Sequence, residues 1–255
     1  MIALVTPTGL RAEAFNLCAG YMKSQTYTGE VLWVVVDDGS PLTTNNVTED
    51  FREGWEIQKI YPTPAWTQGT NSQSRNIKAG IDFVKQRNVE AIFIIEDDDY
   101  YKPVYLEEMT NRMAGHLAIG ETKTIYYNVD CRQIMLNNNE KHSSLFQTAF
   151  TPAALPIFET CYGHQFIDAE FWRKIPKGRG HLFSAGNLSV GIKGMPGRGG
   201  IGAGHRMGPG HPKDRSFNYL QNLIGHEAAA QYEGYYTGDS VVQHDILAHK
   251  VRRFR

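Results

Sequence analysis

The chain has 255 residues, 41% hydrophobic and 21% charged, enough for one sizeable core and unlike a disordered or collagen-like polymer. Its formal charge is −1, and its longest apolar run, Val31–Val36, is far shorter than the roughly 20 residues that cross a bilayer. Three scattered cysteines, Cys18, Cys131 and Cys161, argue against a disulfide scaffold or a zinc ribbon and point to a reducing cytoplasm. Met1–Val5 runs straight into Thr6-Pro7-Thr8-Gly9 and is too short for a signal peptide.

In chain order, Ile2–Val5 is predicted as a buried strand and residues 11–24 as a helix, with Ala14, Leu17, Cys18 and Tyr21 at helical spacing. Val31–Val36 is rich in β-branched residues and stops at the turn cluster Asp37-Asp38-Gly39-Ser40-Pro41. A weaker strand follows at Glu56–Tyr61. Residues 72–86 carry Ile77, Ile81 and Val84 on one helical face. Ala91–Ile95 is a continuous apolar run that ends abruptly in Glu96-Asp97-Asp98-Asp99. This rhythm predicts an α/β fold with a mostly parallel sheet flanked by helices. Later, a helix is expected over 102–113, strands over 123–128 and 144–149, and a helix or strand over 165–175.

Residues 176–215 hold 12 glycines in 40 positions, interspersed with Phe183, His205 and His211. Glycine loses the most entropy on folding, so a long irregular, functional loop is expected there. Charge divides the same way: residues 1–140 carry a net −7 and residues 141–255 a net +6. Within 171–217 nine basic side chains face one acid, Asp214. Such a stretch serves either as a solvated loop or as a surface for nucleic acid or a diphosphate.

The acidic quartet sits where a buried strand ends, the place where open α/β sheets bind ligands. Adjacent carboxylates repel and need a cation, and oxygen-only ligands suit Mg²⁺ or Mn²⁺. The alternative is a helix N-terminus, where acids also gather. Asp37 and Asp38 repeat the arrangement one strand earlier, either as acceptors for a ribose or base N–H or as a plain turn.

These segments together resemble the GT-A fold glycosyltransferases, especially the large inverting family with a Val-Asp-Asp-Gly-Ser signature. Val5-Thr6-Pro7-Thr8 is similar to the first strand and donor loop, and Val36–Ser40 to the nucleotide-binding turn. Ser74-Arg75-Asn76 ahead of Gly80 resembles the helix lining the nucleotide, and Glu96–Pro103 the acidic block, with Glu96 in place of the usual aspartate. The resemblance implies a GT-A (Rossmann-like) single domain over 1–255. Residues 1–110 would be its nucleotide-sugar half, and 111–255 its acceptor half with the basic glycine-rich loop 176–215. It further implies donor contacts at Thr6, Pro7, Thr8, Asp37, Asp38, Arg75, Glu96 and Asp97. Asp98 would bind the metal, with His244 as a late histidine ligand and His205 or His211 as alternatives. Asp214 would be the base or, on the bland reading, an N-cap of a helix beginning at Arg215. A UDP-sugar is the favoured donor, and transfer would invert the anomeric centre.

For the acceptor side, Trp172, Arg198, His205, Arg206 and Lys213 are the candidates. The glycine-rich run 194–205 is similar to that of bacteriophage TET-associated glycosyltransferases, which implies 5-hydroxymethylpyrimidines in DNA as acceptor and a host-cytoplasmic setting. A saccharide, protein or small-molecule acceptor is the alternative. A nucleotidyltransferase and a non-catalytic DNA-binding module remain as readings from other classes.

Overall fold

The structure, a computed structural model, describes residues 1–44, 47–200, 203–205, 207, 208 and 210–238. Eleven strands lie at β1 Ile2–Thr8, β2 Val31–Asp37, β3 Trp55–Ile60, β4 Ala91–Ile94, β5 Tyr100–Tyr101, β6 Ala118–Glu121, β7 Ile125–Asn128, β8 Gln133–Leu136, β9 Thr148–Phe150, β10 Gly180–Phe183 and β11 Ser189–Lys193. The α-helices are α1 Ala12–Lys23, α2 Gln73–Val84, α3 Tyr105–Arg112, α4 Leu155–Glu159, α5 Ile167–Lys174, α6 Asn218–Ile224 and α7 His226–Ala230.

Seven strands form the main sheet in the order β10-β6-β9-β4-β1-β2-β3, and β9 alone runs against the others. Strand periodicity separates its two faces. Ile2, Leu4, Trp33, Val35 and Phe93 point into one core, under α1 and α3. Ala3, Val5, Leu32, Val34, Val36, Ile92 and Ile94 point into the other, under α2, α4 and α5. Because both faces are covered, β2 reads as one unbroken apolar run. On α2, Gly80 lets the helix settle on the sheet, since a Cβ there would lie 2.5 Å from Val5. A smaller sheet, β5-β11-β7-β8, packs with α6 and α7 around a third core that includes Tyr100, Tyr127, Ile192 and Leu220.

Three departures from expectation have physical causes. The glycine-rich stretch is not a continuous loop: β10 and β11 lie within it, and Gly191 is there because a Cβ would meet the Tyr126 ring at 2.3 Å. Residues 144–149 are mostly a 3₁₀ turn over Leu145–Gln147 that feeds the short β9. The late helix begins at Asn218, not at Arg215. Among the described residues no helix is long and apolar enough to cross a membrane.

Candidate active site

The parallel strands β1, β2 and β4 end side by side, and the loops after β2 and β4 gather acidic residues. Two acidic turns stand there, after β2 and after β4. Asp37 belongs to the first and is wholly engaged by its own loop. Its carboxylate accepts the N–H groups of Gly39 (2.9 Å), Thr43 (2.6 Å) and Thr44 (3.1 Å) and the Thr43 hydroxyl (3.0 Å). Asp37 thus shapes the turn in which the donor contact was expected. Asp38 faces side chains instead. Its carboxylate accepts from Arg75 and Arg198 at 2.9 Å each and from the Ser72 hydroxyl.

In the second turn Asp97 takes the Thr8 hydroxyl (2.6 Å) and Arg11 Nη1 (2.8 Å). Asp98 meets Arg11 Nη2, Lys193 Nζ at 3.0 Å and His205 Nε2 at 3.8 Å. Asp99 pins β11 by accepting Lys193 Nζ (2.6 Å) and the Ile192 N–H (3.0 Å). Glu96 is less buried and accepts from Gln73 Nε2 at 2.7 Å. The turn is closed by Tyr101, whose hydroxyl accepts the Glu96 N–H (2.8 Å).

Electrostatics follow from this crowding. Burial opposes ionisation of Asp98, yet Arg11 and Lys193 overcome it and hold its carboxyl well below the usual carboxylate range. Burial also pushes Asp99 and Asp97 up, against the pull of Lys193 and Arg11 respectively. Glu96 is pushed up to about 7 by burial, with Asp98 and Asp168 reinforcing it against Lys193 and Arg11. Burial likewise disfavours the Lys193 ammonium, but the three acids around it keep it charged and raise its pKa.

A divalent cation fits this donor set. Oxygens of Glu96, Asp98 and Asp99 lie within 4.8 Å of one another, and the buried Asp99 Oδ2 has no hydrogen-bond partner. Arg11 and Lys193 pair with Asp97, Asp98 and Asp99, and a bound cation would favour the ionised form of the acids that burial pushes up. Hard oxygen ligands are what Mg²⁺ and Mn²⁺ take.

The remaining expected residues are scattered. Thr6 is fully buried and accepts the Trp33 indole N–H (2.9 Å), so it is a core residue; Pro7 follows it in β1. Trp172, expected at an acceptor surface, is 7% exposed, packs in the core with Ile167 and edge-on to Phe171, and donates to Thr148 Oγ1 (3.1 Å). Helical phase turns it inward with its neighbours. Asp214 caps α6: its carboxylate accepts the N–H groups of Tyr219 (3.1 Å) and Leu220 (3.0 Å) and the Tyr127 hydroxyl (3.1 Å). Three donors meet this buried carboxylate, and capping α6 is compatible with the expected role as base. Lys213 pairs with Gln133 at the edge of the small sheet, and His211 Nδ1 accepts the Gly208 N–H inside its own loop. Arg198, expected on the acceptor side, pairs with Asp38. Arg206 and His244 fall outside the described residues.

Two residues of the site, and one acid that acts on it through charge, are not evident in the sequence as functional. Arg11 and Lys193 bracket Asp98 from opposite ends of the chain. Asp168, in the first turn of α5, is half-buried and near enough for its charge to act on Glu96. Burial raises its pKa, against backbone N–H bonds from Ala169 and Leu145 and the charge of His142. An acid one residue after the start of an amphipathic helix is the signal that marks it.

No protein-family model and no curated protein matches the chain. Solved structures do. The chain is similar to S. aureus TarS residues 1–349 at 16% identity and TM-score 0.54, covering 75% of this chain and 60% of that one. The TarS complex with UDP gives 16% and 0.55 over 75% of this chain. The complex with UDP-GlcNAc gives 15% and 0.54 over 81% of this chain and 61% of the other. The chain thus spans about three-fifths of the TarS structures it matches. What the likeness establishes is the fold: the mixed, mostly parallel α/β sheet flanked by helices that the sequence predicted is the one TarS shares.

Proposed function

We propose that the chain is a glycosyltransferase that uses a nucleoside-diphosphate sugar, with a UDP-sugar favoured. The observation that carries this is the acid cluster with its opposing cations, set at the ends of β1, β2 and β4 in a fold shared with a protein crystallised with UDP and UDP-GlcNAc. Asp98, with Glu96 and Asp99, would hold Mg²⁺ or Mn²⁺, and His205 is the described histidine nearest to them. Such an ion offsets charge on a leaving diphosphate. Arg11 and Lys193 keep Asp98 ionised and aimed. Asp168, whose charge helps raise the Glu96 pKa, is the acid we assign to accept the proton of the acceptor hydroxyl, with Asp214 as the alternative. The hydroxyl oxygen bonds to the anomeric carbon as the bond to the diphosphate breaks, inverting that centre.

The acceptor expected from the sequence, hydroxymethylated DNA, draws on a basic stretch that the fold partly turns inward. Lys193 and Arg198 face acids of the donor site, and Arg173 and Lys174 pair with Glu170. Lys177, Arg179, Lys213 and Arg215 stay exposed and are the groups that would meet phosphates. A saccharide hydroxyl is the simpler acceptor for a cleft whose basic groups are committed to the donor.

The test is UDP release from UDP-GlcNAc and UDP-glucose, with Mn²⁺ or chelator, and with an oligosaccharide or hydroxymethylated duplex DNA added. Metal-dependent release is expected, abolished in Asp98→Asn and about 10²–10⁴-fold slower in Asp168→Asn. Stimulation by the DNA alone assigns that acceptor, and stimulation by the saccharide alone removes it. Absence of both UDP binding and UDP release would overturn the reading.

A further inference from the structure

The glycine-rich strap after β11 puts a planar cation where a planar ligand would lie. The Arg198 guanidinium carbon lies over the Trp66 ring, 4.9 Å from its centre. In the same plane it donates Nη1–H to Asp38 Oδ1 and Nη2–H to Ser72 Oγ, both at 2.9 Å. The Trp66 indole is a fixed wall: its backbone N–H bonds to Asp38 O (2.7 Å) and its ring N–H to Thr70 O (2.8 Å). The strap itself is docked, with the Arg198 N–H on Leu10 O at 3.3 Å. Gly197 makes that approach possible, because φ is +103° and a Cβ would lie 2.4 Å from Leu10 O.

A flat ring bearing an N–H could use the same two surfaces, one face on the indole and its N–H on Asp38. Arg198 is also replaceable there. When it leaves, Asp38 keeps Arg75 and the Ser72 hydroxyl, so its carboxylate is not stranded. Two guanidiniums on one carboxylate are more than its charge requires.

We propose that Arg198 fills the slot of the donor's nucleobase and competes with it, so that nucleotide binds only when the strap lifts this side chain off Trp66 and Asp38. The proposal rests on the nucleotide-sugar reading above. Affinity then depends on the fraction of molecules with the slot open.

UMP is the probe, because it presents the base without the diphosphate that Arg198 would otherwise attract. Titration followed by tryptophan fluorescence and calorimetry is expected to show Arg198→Ala binding UMP about tenfold more tightly than the wild type, and Trp66→Ala binding it more weakly. Hydrogen exchange at the Arg198 amide is expected to speed up when UMP binds. Unchanged or weaker UMP affinity in Arg198→Ala, in a protein whose wild type binds UMP, overturns the competition alone. No UMP binding by either protein overturns the competition, and UDP binding then decides separately whether the nucleotide reading stands.

Discussion

Two acidic turns end neighbouring strands of one sheet, yet they are held by different kinds of group. After β2, Asp37 is satisfied by peptide N–H groups of its own loop, and only Asp38 looks across to other elements. After β4, Asp97, Asp98 and Asp99 are faced by Arg11 and Lys193, and acids outnumber cations. A carboxylate surrounded by main-chain donors fixes shape. A carboxylate facing mobile or exchangeable charge is available for chemistry. Sequence shows the acids in both turns and hides this difference, because the partners of the second come from distant segments.

The contrast breaks most visibly at Lys193. Lys193→Met leaves Asp98 and Asp99 buried beside one cation fewer, which is expected to cost about 3–5 kcal/mol in urea melts. Lys193→Arg should recover much of that loss. At the first turn the effect is smaller: Asp37→Asn removes one of two acceptors for three N–H groups, costing about 1–3 kcal/mol while UDP affinity stays near the wild-type value. Asp214→Ala tests the cap, with an expected loss of about 1 kcal/mol and transfer kept within a few-fold.

The finest test is the pH profile of stability. Glu96 has its pKa raised from 4.5 to about 7, so the folded chain holds a proton that the unfolded chain has lost. Its contribution is full below about 4.5 and falls away as pH rises through 7. Without added metal, thermal melts of the wild type should lose stability across that window more steeply than those of Glu96→Gln. Equal slopes would place Glu96 in a more solvated setting than the one described.

Legibility in the sequence followed the kind of strand. β1, β2 and β4 are apolar runs closed by turn residues, so their ends, and with them Asp38, Glu96 and Asp98, could be placed in advance. β6 and β10 are four-residue strands with a glycine in each, and β11 has Gly191 at its centre. Their glycines answer to contacts made far along the chain, such as Gly120 and Gly180 under the Trp172 ring. No local pattern encodes such approaches. For the same reason Trp172 resembled a surface aromatic when it was filling the space those glycines leave. Asp214 was legible as an acid in a basic stretch, but its meaning depended on Tyr127 and the start of α6.

The acid turn has a length that two tyrosines measure. Five residues separate the end of β4 from the start of β5, and so join the large sheet to the small one. Tyr101 points into the core under α1 and closes the turn with its hydroxyl, while Tyr100 points into the third core and donates to Ile224 O (3.2 Å). A strand alternates its faces, so inserting or deleting a single residue between 95 and 99 would exchange the two rings and rotate the carboxylates away from Arg11 and Lys193. Substitution inside the turn can be graded, but a change in its length cannot. Among chains that share this site, five residues between those strands is the spacing to look for before any particular letter.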